Sequence, residues 1–264
     1  MKCAALIMAG GKSERMRASG CKLHKALRTI GGRPLIEHNL DMLFHFGFNS
    51  IWVAVSSREL QLLSWLEGRG RYLAMEAQAE LRVIVEREAL GTIGAARYLA
   101  DHCENALVIN VDNLTAVDLR ALLECQIRNE AALTVATHNE AFRIPFGQVE
   151  RDGVRLTAYR EKPEIEITVS SGIYVLSQRA MRLIADRGAT NAPALVQRLL
   201  DAGDMVASYH HQEWWIDVND EMALIRAEMA FTEQTSQKYA ANARGTRFVL
   251  AESSPVTRSI EGMA

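Results

Sequence analysis

Short runs of aliphatic and β-branched residues alternate with longer amphipathic stretches through the first half of the chain. Residues 3–8, 51–55 and 106–109 are apolar at successive positions, the pattern of strands buried on both faces, and 81–85, interrupted only by Arg82, reads as a further strand. Between them, 34–47, 58–67, 91–100 and 116–128 read as helices, the first opened by Pro34 in its first turn. Such alternation predicts an α/β fold, a mostly parallel, Rossmann-like sheet with helices on both faces.

The pattern changes after residue 131. Residues 133–137, 146–149, 154–159 and 169–176 are strand-like with little helix between them, and helices resume at 178–187 and 191–202. A strand over 205–209, another at Trp215–Val218 and a helix from Asp220 to about Phe231 follow. This half is expected to extend the same sheet and to add a small antiparallel layer that could carry a second substrate. Residues 1–231 then form one domain, and 232–264, richer in Ser, Thr, Ala and Arg and without a sustained period, a loosely held appendage.

Composition narrows the function classes. Across 264 residues, 48% apolar and 23% charged side chains suit an ordinary globular protein with a sizeable core. A formal net charge of −2 offers no field for a polyanion, so nucleic acid is not an expected partner and any phosphate must be held by local donors. The apolar opening Met1–Ala9 is short and runs into glycines and charges, which reads as a buried strand, not a signal peptide or membrane span. Cys3, Cys21, Cys103 and Cys125 form no CxxC pair, so a reducing, cytoplasmic setting with the thiols as small core residues is expected.

The residues with the strongest chemical signal follow the first strand, at Ala9-Gly10-Gly11-Lys12-Ser13-Glu14-Arg15-Met16. Paired glycines allow a sharp turn that brings amide N–H groups close to a phosphate or a base, and Lys12 and Arg15 add cationic donors. The spacing is neither GxxxxGK[ST] nor GxGxxG, and alone it reads equally as a plain strand–loop turn. Lys25, within Lys22-Leu23-His24-Lys25-Ala26-Leu27, supplies another cation nearby. Asp112 ends the buried run 106–111, and Asp217 follows Trp214-Trp215-Ile216. Acids at strand ends can share Mg2+ with substrate phosphates, or each can cap the next helix.

Taken in order, these segments resemble the sugar-1-phosphate nucleotidyltransferases, and within them the guanylyltransferases acting on mannose, heptose or amino-sugar 1-phosphates. The likeness runs from residue 3 to about 231. It includes the AGGKSERM loop, His24–Leu27, Gly32–Ile36, Glu86–Thr92, Asn110-Val111-Asp112, Pro145-Phe146-Gly147, Glu161-Lys162-Pro163, Ser171–Tyr174 and Trp215–Val218. It departs at Ser13, His24, Val111 and Asn219, which bears on loop geometry and on sugar and base preference.

The resemblance implies an enzyme that joins a nucleoside triphosphate to a sugar 1-phosphate with Mg2+ and releases pyrophosphate. It implies nucleotide contacts from Ala9, Gly10, Gly11, Lys12, Ser13, Arg15, Glu86, Gly91 and Thr92, with Arg15 and Lys25 catalytic and Lys25 on the α-phosphate. It implies Asp112 and Asp217 as metal ligands, and Gly147, Glu161, Lys162 and Gly172 lining a sugar-phosphate pocket, mainly within 131–218. Glu86 matches the position that reads the base edge: a carboxylate only accepts hydrogen bonds, which suits the two adjacent donors of guanine and favours GTP. Its alternative role is pairing with Arg82 or Arg87. Competing expectations are CTP, UTP, dTTP or ATP in the same fold, guanylyl transfer to a cofactor precursor, and a catalytically silent nucleotide-binding homologue. No membrane partner is expected, and a homodimer is left open.

Overall fold

In the computed structural model, which describes residues 2–10, 23–185 and 189–230, the chain opens with β1 (Cys3–Ala9). A ribbon of β2 (Thr29–Ile30) and β3 (Arg33–Pro34) leads into a helix over Leu35–His45. β4 (Ser50–Ser56), β5 (Glu80–Glu86) and β6 (Asn105–Asn110) follow, separated by helical segments. After β7 (Asn113–Thr115) come a helix over Leu119–Arg128, β8 (Leu133–Arg143), a hairpin of β9 (Gln148–Asp152) and β10 (Arg155–Arg160), and β11 (Glu164–Ser177). Helices Gln178–Ala185 and Ala192–Asp201 precede β12 (Val206–His210) and β13 (Trp215–Asp217), and residues 221–230 are helical.

The main sheet has seven strands in the order β12-β8-β11-β6-β1-β4-β5. Every neighbouring pair is parallel except those made by β11, which runs antiparallel to both β6 and β8. The expected mostly parallel sheet with small antiparallel additions is what forms. Adjacent residues of the central strands face opposite sides, so Leu6 and Val108 join one core layer while Ile7 and Ile109 join the other. That double burial is why these strands are apolar at every position between their ends. From β1 the chain builds outward to β4 and β5, then crosses to β6 on the other side of β1. The carboxyl ends of β1 and β6 therefore flank a topological switch point, where such sheets collect ligands.

Several elements differ from expectation. The helix expected over 58–67 begins at Leu60 and continues through a π-helical turn, Leu66–Gly70, into Arg71–Glu76. Gly68 and Gly70 lie within this run, and a Cβ on Gly70 would lie 3.1 Å from the Leu81 side chain, so there the glycine serves close packing on β5. The helix expected over 91–100 is a shorter 3-10 segment, Gly94–Leu99. β8 and β11 run beyond their apolar cores as a paired arm, from Glu164↔Arg143 to Val169↔His138. β7 was not anticipated, and Trp215–Asp217 pairs with it in a separate ribbon instead of joining the sheet. Among the described residues no helix is long and apolar enough to cross a membrane.

Candidate functional site

The parallel register aligns Met8 with Asn110 and Ser56 with Glu86, so Gly10, Glu86 and Asp112 leave the sheet at one edge. Gly10 is held against Glu86: a Cβ there would lie 2.2 Å from Glu86 Oε2, so only glycine fits without displacing the carboxylate. Glu86 is 6% exposed and its Oε1 is buried with no hydrogen-bond partner among the described residues. Burial raises its pKa, while Arg97 opposes the shift. Arg82, the alternative partner, pairs with Glu80 at 2.7 Å and sits 4.9 Å over the Trp52 ring. Gly11, Lys12, Ser13 and Arg15 lie outside the described residues.

Lys25 opens a short 3-10 turn whose preceding residue, His24, accepts the Ala26 amide through Nδ1 at 3.1 Å. That turn aims the lysine at Asp112, and Nζ lies 2.5 Å from Asp112 Oδ2. Asp217 arrives from 105 positions later, because β13 pairs with β7 in the register Asp217↔Asn113 and the Val218 amide donates to the Asp112 carbonyl at 2.9 Å. Burial, then the charge of Asp112, pushes the Asp217 pKa up to about 6, with Lys25 and an Asn219 hydrogen bond pulling the other way. Neither acid caps a helix: Asp118 caps Leu119–Arg128, and Asp220 accepts the Ala223 amide.

The two carboxyl groups touch, and Asp217 Oδ1 is buried without a hydrogen-bond partner among the described residues. This donor set of hard oxygens suits a divalent cation that completes its shell with phosphate and water, because magnesium is typically held by one or two carboxylates plus substrate.

The residues implied for the sugar phosphate divide into two groups. Gly172, in β11, has φ +70, and a Cβ there would meet the amides of Asn110 and Asn113 at 2.8 Å. It thus lies against the residues flanking Asp112. Gly147, Glu161 and Lys162 surround the β9–β10 hairpin, where Tyr159 donates to Glu161 at 3.0 Å and packs against Gly147. No hydrogen bond among the described residues ties this second group to the acids. Gly91 and Thr92 serve a clasp: Gly91, at φ +84, packs on the Thr190 carbonyl, and Thr92 donates its amide to Asn191 and accepts the Ala192 amide.

Sequence reasoning overlooked the polar residues behind Gly172. Ser171 is fully buried; its carbonyl accepts Asn113 Nδ2 and Trp215 Nε1, each at 2.7 Å. Its hydroxyl lies 2.8 Å from His138 Nδ1 and 2.7 Å from His211 Nε2. The one available signal was His138 itself, which follows Thr134 and Ala136 at the period-two spacing of a strand's inward face.

Residues 4–234 match the family described as nucleotidyl transferase. The chain is 28% identical over 255 residues to a bifunctional protein GlmU of an Exiguobacterium species, covering 89% of this chain and 54% of that protein. It is 26% identical over 261 residues to the GlmU of Bacillus cytotoxicus, at 90% and 54% coverage, so it spans about half the length of these relatives. A Bacillus anthracis protein taken for a glucose-1-phosphate thymidylyltransferase, solved with a sucrose, superposes with a TM-score of 0.67 at 21% identity, covering 86% of this chain and 94% of that one. HddC from Yersinia pseudotuberculosis, complexed with GMP-PN, gives 0.67 at 18% identity, covering 88% and 100%. At those identities the likeness is one of fold.

Proposed function

Since this chain belongs to the nucleotidyl transferase family, we propose that it transfers a nucleoside monophosphate from a nucleoside triphosphate, GTP by preference, to a sugar 1-phosphate. The observation that carries the reading is the meeting of Asp112 and Asp217 beside Lys25, at the sheet edge where Gly10 and Glu86 also stand.

The sugar phosphate is itself the nucleophile, so no covalent bond to the protein is needed. One of its oxygens forms a bond to the α-phosphorus as the bond to the departing pyrophosphate oxygen breaks. Lys25, already oriented by Asp112, neutralises charge at the α-phosphate, and Arg15 does so on the triphosphate. Asp112 and Asp217 would hold the divalent cation, which supplies charge neutralisation for the phosphates when bound. Gly10 leaves room for the base next to Glu86, whose unpartnered oxygen would accept the adjacent guanine N–H groups. Gly172 lies against the same residues as the acids and offers its backbone to the sugar, while Glu161 accepts from sugar hydroxyls and Lys162 meets their phosphate.

A panel of sugar 1-phosphates against five nucleoside triphosphates, scored by released pyrophosphate, tests the reading. GTP with one sugar 1-phosphate should dominate, and Lys25→Ala or Asp112→Ala should lower turnover by about a hundredfold or more in a folded protein. Wild-type turnover in those variants would remove both residues from the mechanism. Dominance of dTTP would instead favour the thymidylyl reading suggested by the Bacillus anthracis neighbour.

A further inference from the structure

Behind the acids lies a buried polar cluster that the reaction as described does not use. Ser171 is its hub. The carbonyl and hydroxyl of this one residue are in contact with four polar groups from three directions: Asn113 and Trp215 at the carbonyl, His138 and His211 at the hydroxyl. His138 sits on β8 at 8% exposure and His211 just beyond β12 at 3%. The cluster continues outward, with His138 Nε2 3.1 Å from Glu140 and His211 Nδ1 3.5 Å from Glu213. The rings of His138 and Trp215 pack with their centroids 4.5 Å apart, tilted by 40°. His211 Nδ1 is buried with no hydrogen-bond partner among the described residues, while the groups around Ser171 satisfy one another. Burying polar atoms is costly without such pairing, and the paired groups fix one geometry.

That geometry is transmitted to the site at two points. Gly172 follows Ser171 directly and takes its left-handed conformation against Asn110 and Asn113. Trp215, anchored by its ring nitrogen to Ser171 and packed against the tilted His138 ring, is two residues from Asp217, whose strand pairs with Asn113. We infer that His138 and His211, acting through Ser171, are positioning residues that set Gly172 for the sugar 1-phosphate. None of them needs to touch the substrate. The inference rests on the proposed transfer reaction and deepens it by separating the acceptor side from the nucleotide side, where Gly10, Glu86 and Lys25 have their own supports.

The test is steady-state pyrophosphate release by the full chain carrying Ser171→Ala, His138→Ala or His138→Asn, with folding checked by circular dichroism. Losing a buried hydrogen bond should lower kcat/KM for the sugar 1-phosphate about tenfold in the two alanine variants, leaving KM for the triphosphate within about twofold. Asparagine can place an amide near the position of Nδ1, so His138→Asn should recover most of that loss, which a mere packing role would not produce. Ser171→Ala removes a single oxygen and keeps the test decisive if His138→Ala fails to fold. Folded alanine variants with wild-type kcat/KM, or with equal losses for both substrates, would overturn the inference while leaving the transfer reaction standing. A wild-type chain that releases no pyrophosphate from any substrate pair sinks the reaction and the inference together.

Discussion

Glu86 and Asp217 each present an oxygen that is buried and without a hydrogen bond among the described residues. Such groups are rare in folded proteins because each forfeits the hydration it had in the unfolded chain. A ligand that supplies the missing partner explains both. Glu86→Gln would place a donor and an acceptor at the base edge, and the ratio of pyrophosphate release with GTP to that with UTP or dTTP should fall; an unchanged ratio would take Glu86 out of base selection. At Asp217 the sign of the pH effect follows from burial and from Asp112 beside it. Its native pKa, raised from 3.8 to about 6, means the folded state holds the proton more tightly than the unfolded chain. Without metal, stability therefore falls as pH rises from the ordinary aspartate range through about 6. Asp217→Asn should raise the melting temperature at neutral pH, by about 2–4 °C for each kcal/mol gained, while turnover collapses. The gain should shrink as the pH drops below about 6, where wild-type Asp217 is itself neutral. A lower melting temperature in the variant at every pH would contradict the crowding of the two acids.

At the scale of elements, the site is an edge assembled by strand register. β1, β5 and β6 bring Gly10, Glu86 and Asp112 to one level because parallel pairing fixes which residues end together. β13 adds Asp217 through only three paired positions on β7. So short a ribbon is held in place by what packs on it, chiefly the Asn113 and Trp215 hydrogen bonds to Ser171. Gly172 is its tightest point. Gly172→Ala would force a side chain to within 2.8 Å of two amide nitrogens at a φ that disfavours a Cβ. A loss of about 1–3 kcal/mol in denaturant unfolding is expected from the backbone strain alone. The same substitution at Gly203, also at positive φ but facing open space, should cost no more than the strain.

At the scale of the whole molecule, two apolar layers sandwich the sheet, and the residues of the site sit where those layers stop. A nucleotide bound as proposed would touch segments from β1, β5 and β6, so its binding energy should stabilise the entire domain. At about 100 times Kd, a ligand specific for the native state contributes about 2.7 kcal/mol. Thermal unfolding in the presence of GTP and Mg2+ should therefore shift upward by several degrees, and more than with UTP. No shift with any of the five nucleotides would argue against a nucleotide site.

The apolar continuity of 3–8, 51–55 and 106–109 was enough to specify a doubly covered parallel sheet, because burial on both faces leaves no polar position in a strand. The glycine turn, Lys25, Asp112 and Asp217 were likewise legible as isolated residues suited to phosphate and metal. That they meet was expected only from the family resemblance and not from local pattern: Lys25 to Asp112 spans 87 positions, and Asp217 joins them through a three-residue ribbon on a strand, β7, that the pattern did not announce. The helical run through Gly68 and Gly70, the arm of β8 and β11, and the network around Ser171 were also decided only by tertiary structure. Local pattern reports whether a side chain is buried. Which polar groups satisfy one another inside depends on strands far apart in the chain coming into register.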